Sequence, residues 1–157
     1  MNYSVLMSVY AKDNPKYLKL AIDSMLNQTV KPEQFVIVQD GLLPESIGQV
    51  ICKYESNQPE LFTIIKLETN GGLANALNIG LQACRNELVA RMDADDISLP
   101  QRCEKELKKF SENPDLVICG CNIDEFYDIP QNVKTSRVVP AEYKDILRFM
   151  RRRQPFN

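Results

Sequence analysis

Apolar and polar positions along this chain follow two alternating periods. Tyr3 to Val9 is a nearly continuous apolar run, long enough for a strand buried on both faces. Asn14-Pro15 follows, a good N-cap and then a proline suited to the first helical position. Leu18, Ile22, Met25 and Leu26 then mark one helical face. Phe35 to Val38 reads as a second buried strand, ended by Gln39-Asp40-Gly41. After Pro44, Ile47, Val50, Ile51 and Tyr54 recur with helical spacing, and Phe62 to Leu67 reads as a third strand. Gly71-Gly72 opens a helix bearing Leu73, Ala76, Leu77, Leu81 and Cys84, and Leu88 to Met92 is a fourth strand. The next helix is expected to start near Ser98-Leu99-Pro100-Gln101, where Ser and Gln have capping-box spacing. It should bury Cys103, Leu107 and Phe110 and stop at Asn113-Pro114. Leu116 to Cys119 reads as a fifth strand and residues 122–140 as an irregular excursion. A last helix over Ala141 to Arg152 carries Tyr143, Ile146, Leu147 and Met150 on one side.

Strands alternating with helices at this spacing predict an α/β fold, Rossmann-like, with a mostly parallel sheet flanked by helices. The 157 residues suit a single domain. Composition narrows the chemistry. The hydrophobic fraction of 44% and charged fraction of 25% exclude disordered and fibrous classes. Nineteen Lys and Arg against 21 Asp and Glu argue against broad nucleic-acid binding, which needs an excess of cations. No apolar run approaches the roughly 20 residues of a membrane helix, and Met1-Asn2-Tyr3-Ser4 opens no secretory signal. A cytoplasmic protein is expected. The absence of histidine removes imidazole acid–base catalysis and most zinc sites. Five cysteines without a C-x-x-C pair read as free, largely buried thiols in a reducing compartment. Chemistry here must run on carboxylates, a metal or backbone groups.

In an open parallel sheet, ligands bind outside the carboxyl ends of the strands. Those ends are Ser8-Val9-Tyr10, Asp40-Gly41, Asn70-Gly71-Gly72 and Asp93-Ala94-Asp95-Asp96, so the edge is acidic. In an extended segment Asp93 and Asp95 would project to one side. Two carboxylates that close repel unless a cation lies between them or one is protonated. Hard oxygen ligands suit Mg2+ or Mn2+, with substrate phosphates completing the shell. The plainer alternative is that these acids cap the following helix, and Asp96 fits that role well. An EF-hand fails because Ile97 and Ser98 stand where an oxygen ligand and a glycine are needed. A phosphatase of the haloacid dehalogenase type fits less well, with Ile97 at its Thr or Val position. No P-loop or dinucleotide fingerprint exists.

Ser8-Val9-Tyr10, the run Val36 to Gly41, the run Asn70 to Gly80, and Arg91-Met92-Asp93-Ala94-Asp95-Asp96 with Pro100-Gln101-Arg102 resemble family 2 glycosyltransferases of the GT-A fold. The four motifs occur in order, at element boundaries, over about the first 120 residues. The resemblance implies a site for a nucleoside-diphosphate sugar, a UDP-sugar foremost, built from Ser8, Val9, Tyr10, Asp40, Gly72, Asn75, Asp93, Ala94 and Asp95. Val9, Tyr10 and Asp40 would hold the base, Asp93 the ribose side, and Asp95, with Asp93, a divalent Mn2+ or Mg2+ on the diphosphate. It further implies an inverting, metal-dependent transfer to a saccharide or lipid-linked acceptor in cell-surface polysaccharide or glycolipid synthesis.

The chain departs from the family pattern in two motifs. Gln39-Asp40-Gly41-Leu42 stands where Asp-Asp-Gly-Ser is usual, and Leu77 where many members carry Arg. The family's acceptor-binding half and its catalytic carboxylate are expected beyond Asn157, with Arg153 to Asn157 resembling the opening of an acceptor segment. On that reading this chain is the donor-binding part. The alternatives are a metal-dependent phosphohydrolase using Asp93 and Asp95, or a nucleotide-binding domain without chemistry. The basic end, Lys144, Arg148, Arg151, Arg152 and Arg153, reads as a solvated helix face, with peripheral contact at the inner face of a membrane as the alternative.

Overall fold

The computed structural model describes residues 1–127 and 132–152, which divide into two compact units, Met1–Glu104 and the residues from Lys105 onward. The first unit is a four-stranded parallel sheet, β1 (Tyr3–Val9), β2 (Gln34–Gln39), β3 (Phe62–Lys66) and β4 (Leu88–Met92), in the order β3-β2-β1-β4. Helices α1 (Pro15–Leu26), α2 (Glu45–Asn57) and α3 (Leu73–Ala83) form the crossovers. This is the expected Rossmann-like architecture. Parallel neighbours demand crossovers, and right-handed ones decide which face each helix covers. Passing from β1 to β2 to β3 keeps α1 and α2 together on one face, where they touch each other. Returning from β3 past β2 and β1 to β4 sends α3 over the other face, against β1 and β2.

Strand alternation divides the core accordingly. Leu6, Val36 and Val38 pack with Ala76 of α3. Val5, Met7, Phe35 and Ile37, all fully buried, face α1 and α2. Phe35 stacks on Phe62 with ring centroids 5.1 Å apart, and Tyr54 of α2 lies 6.0 Å from Phe62. Asn14 caps α1 by accepting the Lys16 N–H at 2.9 Å, with Pro15 as the first helical residue. Leu18, Ile22 and Met25 are buried on its inner face, as their spacing predicts. Burial of each such side chain is worth about 1.5–3 kcal/mol. Gly80 is the closest approach of α3 to the sheet. A Cβ there would strike Leu6 Cδ1 and come within 2.7 Å of Val38 Cγ2.

The second unit holds most of α4 (Arg102–Glu112), an antiparallel pair β5 (Ile123–Phe126) and β6 (Val133–Arg137), and α5 (Tyr143–Met150). Four expectations are corrected here. Leu116 to Cys119 forms no strand, and Val117 is 91% exposed. A strand needs a neighbour to take its backbone hydrogen bonds, and among the described residues this run has none. Residues 122–140 are not wholly irregular, because they contain the β5–β6 pair. Beside one apolar pair, Phe126 and Val133, its cross-strand contacts are Ser136 Oγ to Asp124 at 2.5 Å and Arg137 to Glu125 at 3.0 Å. Hydrophobic alternation therefore gives no signal for it. The cysteines are free, but only Cys103 is buried; Cys52 is exposed and Cys84, Cys119 and Cys121 are half-buried. Leu107 and Phe110 are also only half-buried.

Helix α5 leaves Tyr143, Leu147 and Met150 exposed. Among the described residues no helix is long and apolar enough to cross a membrane. Residues 153–157, read above as the start of an acceptor segment and including Arg153, lie outside the described residues.

Two outcomes follow for stability. Gly80→Val overpacks the α3–sheet contact and should cost about 1–3 kcal/mol by denaturant unfolding. Gly48→Ala in α2 meets nothing within 4 Å and should be neutral or gain up to about 1 kcal/mol. A third outcome concerns Asp23, which joins α1 to α2 by accepting the Tyr54 hydroxyl at 2.5 Å and pairs with Lys19 at 2.6 Å. Burial opposes its charge, but the bonds from Lys19 and Tyr54 outweigh it and hold the carboxyl below its ordinary value. A lowered folded pKa means stability present above the unfolded value of about 3.9 and lost as pH falls through the folded one. Asp23→Asn should flatten that acid limb in urea titrations at stepped pH.

Candidate functional site

All four strands run in one direction, so their exits share one edge, and the crossovers diverge between β1 and β4. A crevice at such a point is where open α/β sheets bind ligands. The loop after β1 supplies Tyr10 to Asp13, and the loop after β4 supplies Asp93 to Asp96.

Ser8 is half-buried near the end of β1, and Val9 is fully buried with its carbonyl accepting the Asp40 N–H at 2.8 Å. Tyr10 is 42% exposed, with its ring free for a ligand rather than in the core. Its backbone is held by Asp13, whose Oδ2 accepts the Tyr10 N–H at 2.8 Å while the Asp13 N–H donates to the Tyr10 carbonyl at 3.1 Å. Sequence reasoning missed Asp13. The available signal was an Asp three residues past the strand exit, the spacing of a side chain closing its own turn. Burial, then the charges of Asp95 and Asp93 against the bond from Tyr10, push the Asp13 carboxyl up. Asp13 therefore faces the acidic turn across the switch point.

Asp93-Ala94-Asp95 is not extended. The Asp96 N–H donates to the Asp93 carbonyl at 3.4 Å, closing a turn over Ala94 and Asp95. Ala94 is buried, and Asp95 projects into solvent without a hydrogen bond or ion pair among the described residues. Asp93 pairs with Arg91 at 2.5 Å. Burial and the charges of Asp93 and Asp95 push Asp96 up, with Arg102 and Arg91 opposing. Among the described residues no three carboxylates or thiols converge as a closed metal cage. What is present is an open, hard-oxygen edge, Asp95 foremost and Asp93 beside it. That donor set fits Mg2+ or Mn2+ sharing its shell with phosphate oxygens, and does not fit a metal held by protein alone.

Asp40 is placed differently from a free base-binding acid. It is 3% exposed, and its Oδ1 and Oδ2 accept the Gly71 and Gly72 N–H groups at 2.7 and 3.0 Å. The Asn70 Nδ2 donates to its carbonyl at 3.2 Å. The carboxylate thus clamps the third strand exit onto the second. Gly41, at φ +88°, and Gly72, at φ +84°, take backbone conformations that L side chains rarely adopt, and a Cβ on Gly41 would lie 2.7 Å from the Asn70 nitrogen. Asn75 is exposed on the first turn of α3, its amide lying over Gly71. An open pocket of about 420 Å3 lies beside this clamp, lined by Gln39, Leu42, Pro44, Gln49 and Lys66 among others. None of the residues assigned by the motifs lines it.

The downstream end of the acidic turn is also fixed. Ser98, 6% exposed, donates its N–H to Ser24 Oγ at 3.0 Å, and its hydroxyl accepts Gln28 Nε2 at 3.0 Å. Gln28 Oε1 accepts the Cys103 N–H in the first turn of α4 at 3.0 Å. A Gln from the far end of α1 therefore serves that helix start, where local Ser98 and Gln101 capping was expected. Capping by a residue 75 positions away leaves no local sequence trace.

Comparison with known proteins shows the family of this fold. Residues 4–157 match the family described as Glycosyl transferase family 2, and the chain belongs to that family. It is 37% identical over its whole length to an uncharacterized glycosyltransferase of Haemophilus influenzae, covering 58% of that protein. It is 37% identical over 99% of its length to the amylovoran biosynthesis glycosyltransferase AmsE of Erwinia amylovora, covering 57%. It is 35% identical over 99% of its length to the UDP-Gal:alpha-D-GlcNAc-diphosphoundecaprenol beta-1,3-galactosyltransferase of Escherichia coli, covering 55%. The chain thus spans a little over half the length of these curated relatives. In fold it is similar to S. aureus TarS residues 1–349 in complex with UDP-GlcNAc, with TM-score 0.62 and 24% identity over 73% of this chain and 32% of that one.

Asp40→Asn would set an NH2 group against one glycine amide. It should cost about 1–3 kcal/mol. Amide exchange at Gly71 and Gly72 should quicken while β1 amides stay protected, as read by NMR.

Proposed function

We propose that this chain binds a nucleoside-diphosphate sugar, a UDP-sugar foremost, along the β1–β4 exits, as the donor part of an inverting glycosyltransferase. The carrying observation is that the exposed Tyr10, held by Asp13, and the exposed Asp95 stand on the loops that leave the neighbouring strands β1 and β4, where the strand order reverses. The E. coli relative named for a UDP-Gal donor and a diphosphoundecaprenol-linked acceptor supports the donor class and a lipid-linked saccharide acceptor. AmsE supports a role in polysaccharide synthesis.

On this reading Tyr10 and Val9 receive the base, Asp93 lies on the ribose side, and Asp95 is the free carboxylate for Mn2+ or Mg2+. Such a cation, when bound, supplies Lewis-acid stabilisation of the leaving diphosphate. Gly72 and Asn75, at the start of α3, line the sugar side, with Asp40 holding Gly71 and Gly72 in place. The reaction itself is a displacement at the anomeric carbon. A carboxylate base takes the acceptor hydroxyl proton, the new C–O bond forms, and the bond to diphosphate breaks with its electrons leaving on the nucleoside diphosphate. The setting is the cytoplasm, at the inner face of the membrane that carries the acceptor.

Calorimetry with UDP in the presence and absence of Mn2+ tests the donor site. Asp95→Ala should weaken the Mn2+-dependent component by at least roughly tenfold without changing thermal stability. UDP binding that Mn2+ does not strengthen, or binding untouched by Asp95→Ala, contradicts the assignment.

A further inference from the structure

The acidic turn is held at both ends, and its downstream anchor is unlike its upstream one. Upstream, Met92 is paired with Met7 in the parallel ladder. Downstream no strand holds the chain; a buried side-chain clasp does. Gln28 is 1% exposed, and both ends of its amide are used. Nε2 donates toward Leu99 O at 2.9 Å, Ser98 Oγ at 3.0 Å and Ser24 O at 3.1 Å, while Oε1 accepts the Cys103 N–H. Ser24 takes the Ser98 N–H, and the next residue, Thr29, donates its N–H to the Pro100 carbonyl at 2.8 Å. The last turn of α1 and the two residues after Asn27 therefore hold residues 98–103 by side-chain and backbone bonds together. Only five residues, 93 to 97, lie between the two anchors.

Five residues between fixed ends have few conformations, and among the described residues the exposed Asp95 side chain has no hydrogen-bond partner to fix it. Its direction is set by where the ends are. We infer that Gln28 is a positioning residue for the donor site: it fixes the downstream end of the Asp93–Asp96 turn and so holds Asp95 at the carboxyl edge of the sheet, beside the loop that leaves β1. The inference rests on the donor-site reading above. Only a primary amide meets the need, because it donates and accepts at once. A Glu would set its carboxylate against the Leu99 and Ser24 carbonyls, and a Met of similar size leaves the Cys103 N–H and Leu99 carbonyl without this partner.

The test uses the full chain and three variants. Gln28→Met removes the amide at nearly constant volume, and Ser24→Ala removes the acceptor of the Ser98 N–H as a milder change. Ile51→Val lowers stability from the buried side of α2, away from the clasp, and is the control for a purely structural effect. Amide exchange at 94–97 should quicken in Gln28→Met and Ser24→Ala, with β1 amides unchanged. By calorimetry, the enhancement of UDP affinity by Mn2+ should fall by roughly tenfold or more in Gln28→Met and by a smaller factor in Ser24→Ala, as expected when the support of a metal-binding carboxylate is removed. Metal-free UDP affinity should stay within about twofold, because the base-side contacts are left in place. Ile51→Val should change neither. Unchanged exchange at 94–97 in folded Gln28→Met overturns the inference. Equal loss of UDP affinity with and without Mn2+ overturns it as well. Absence of UDP binding by the unmodified chain overturns the donor-site reading itself. That result is distinct from a chain that binds UDP with Mn2+ regardless of residue 28.

Discussion

Every functional feature of this molecule depends on one constraint, the parallel pairing of β1 with both β2 and β4. Parallel strands cannot be joined by tight turns, so each connection must cross the sheet and return the chain to the same end. Four exits thereby fall along one edge. The strand order reverses between β1 and β4, and the carboxyl edge at such a switch point is where open α/β sheets bind ligands. Residues 80 positions apart, Asp13 and Asp93, come within electrostatic reach of one another for that reason and no other.

The sheet creates the edge, but buried polar side chains give it definite shape. Asp40 uses both carboxylate oxygens to hold the Gly71 and Gly72 amides. Gln28 uses both ends of its amide to hold residues 98–103. At the opposite edge, Gln34 accepts from Ser4 Oγ and the Arg85 N–H and donates to Thr63 and the Ala83 carbonyl. Each is 3% exposed or less. Burying such groups costs free energy unless their bonds are made, and among the described residues no fully buried side-chain N or O lacks a partner. Fully satisfied, these clasps set loops that have no ladder of their own. Their cost if broken is what makes them specific.

Legibility in the sequence followed the physical origin of each feature. The buried strands and the helices of the first unit were readable because both faces of a parallel sheet are covered. Their residues then form apolar runs, Tyr3 to Val9 and Phe35 to Val38, separated by helical periods. The β5–β6 pair was not readable, because polar and charged residues dominate it: Asp124 stands opposite Ser136, Glu125 opposite Thr135 and Ile123 opposite Arg137, with Phe126 and Val133 as an apolar pair. Leu116 to Cys119 misled for the opposite reason: an apolar run shows tendency and carries no information about a hydrogen-bonding neighbour. In the site, the acidic exits and the glycines were visible as types. Asp13, Gln28 and the clamping role of Asp40 were not, since each depends on a backbone group brought near by folding.

The amino-acid sequence by itself determined the element order of the first unit, the parallel α/β class and the acidic character of one sheet edge. These follow from local periodicity and from the chirality of the connections, which hold wherever such a pattern occurs. The tertiary structure alone decided which acid is free and which is spent on the scaffold. Asp40 and Asp95 are both aspartates after buried strands, indistinguishable in kind. One meets two glycine amides and is buried by them, while the other stands on a five-residue turn that offers it no partner. That difference is made by long-range hydrogen bonds, whose partners no local pattern names.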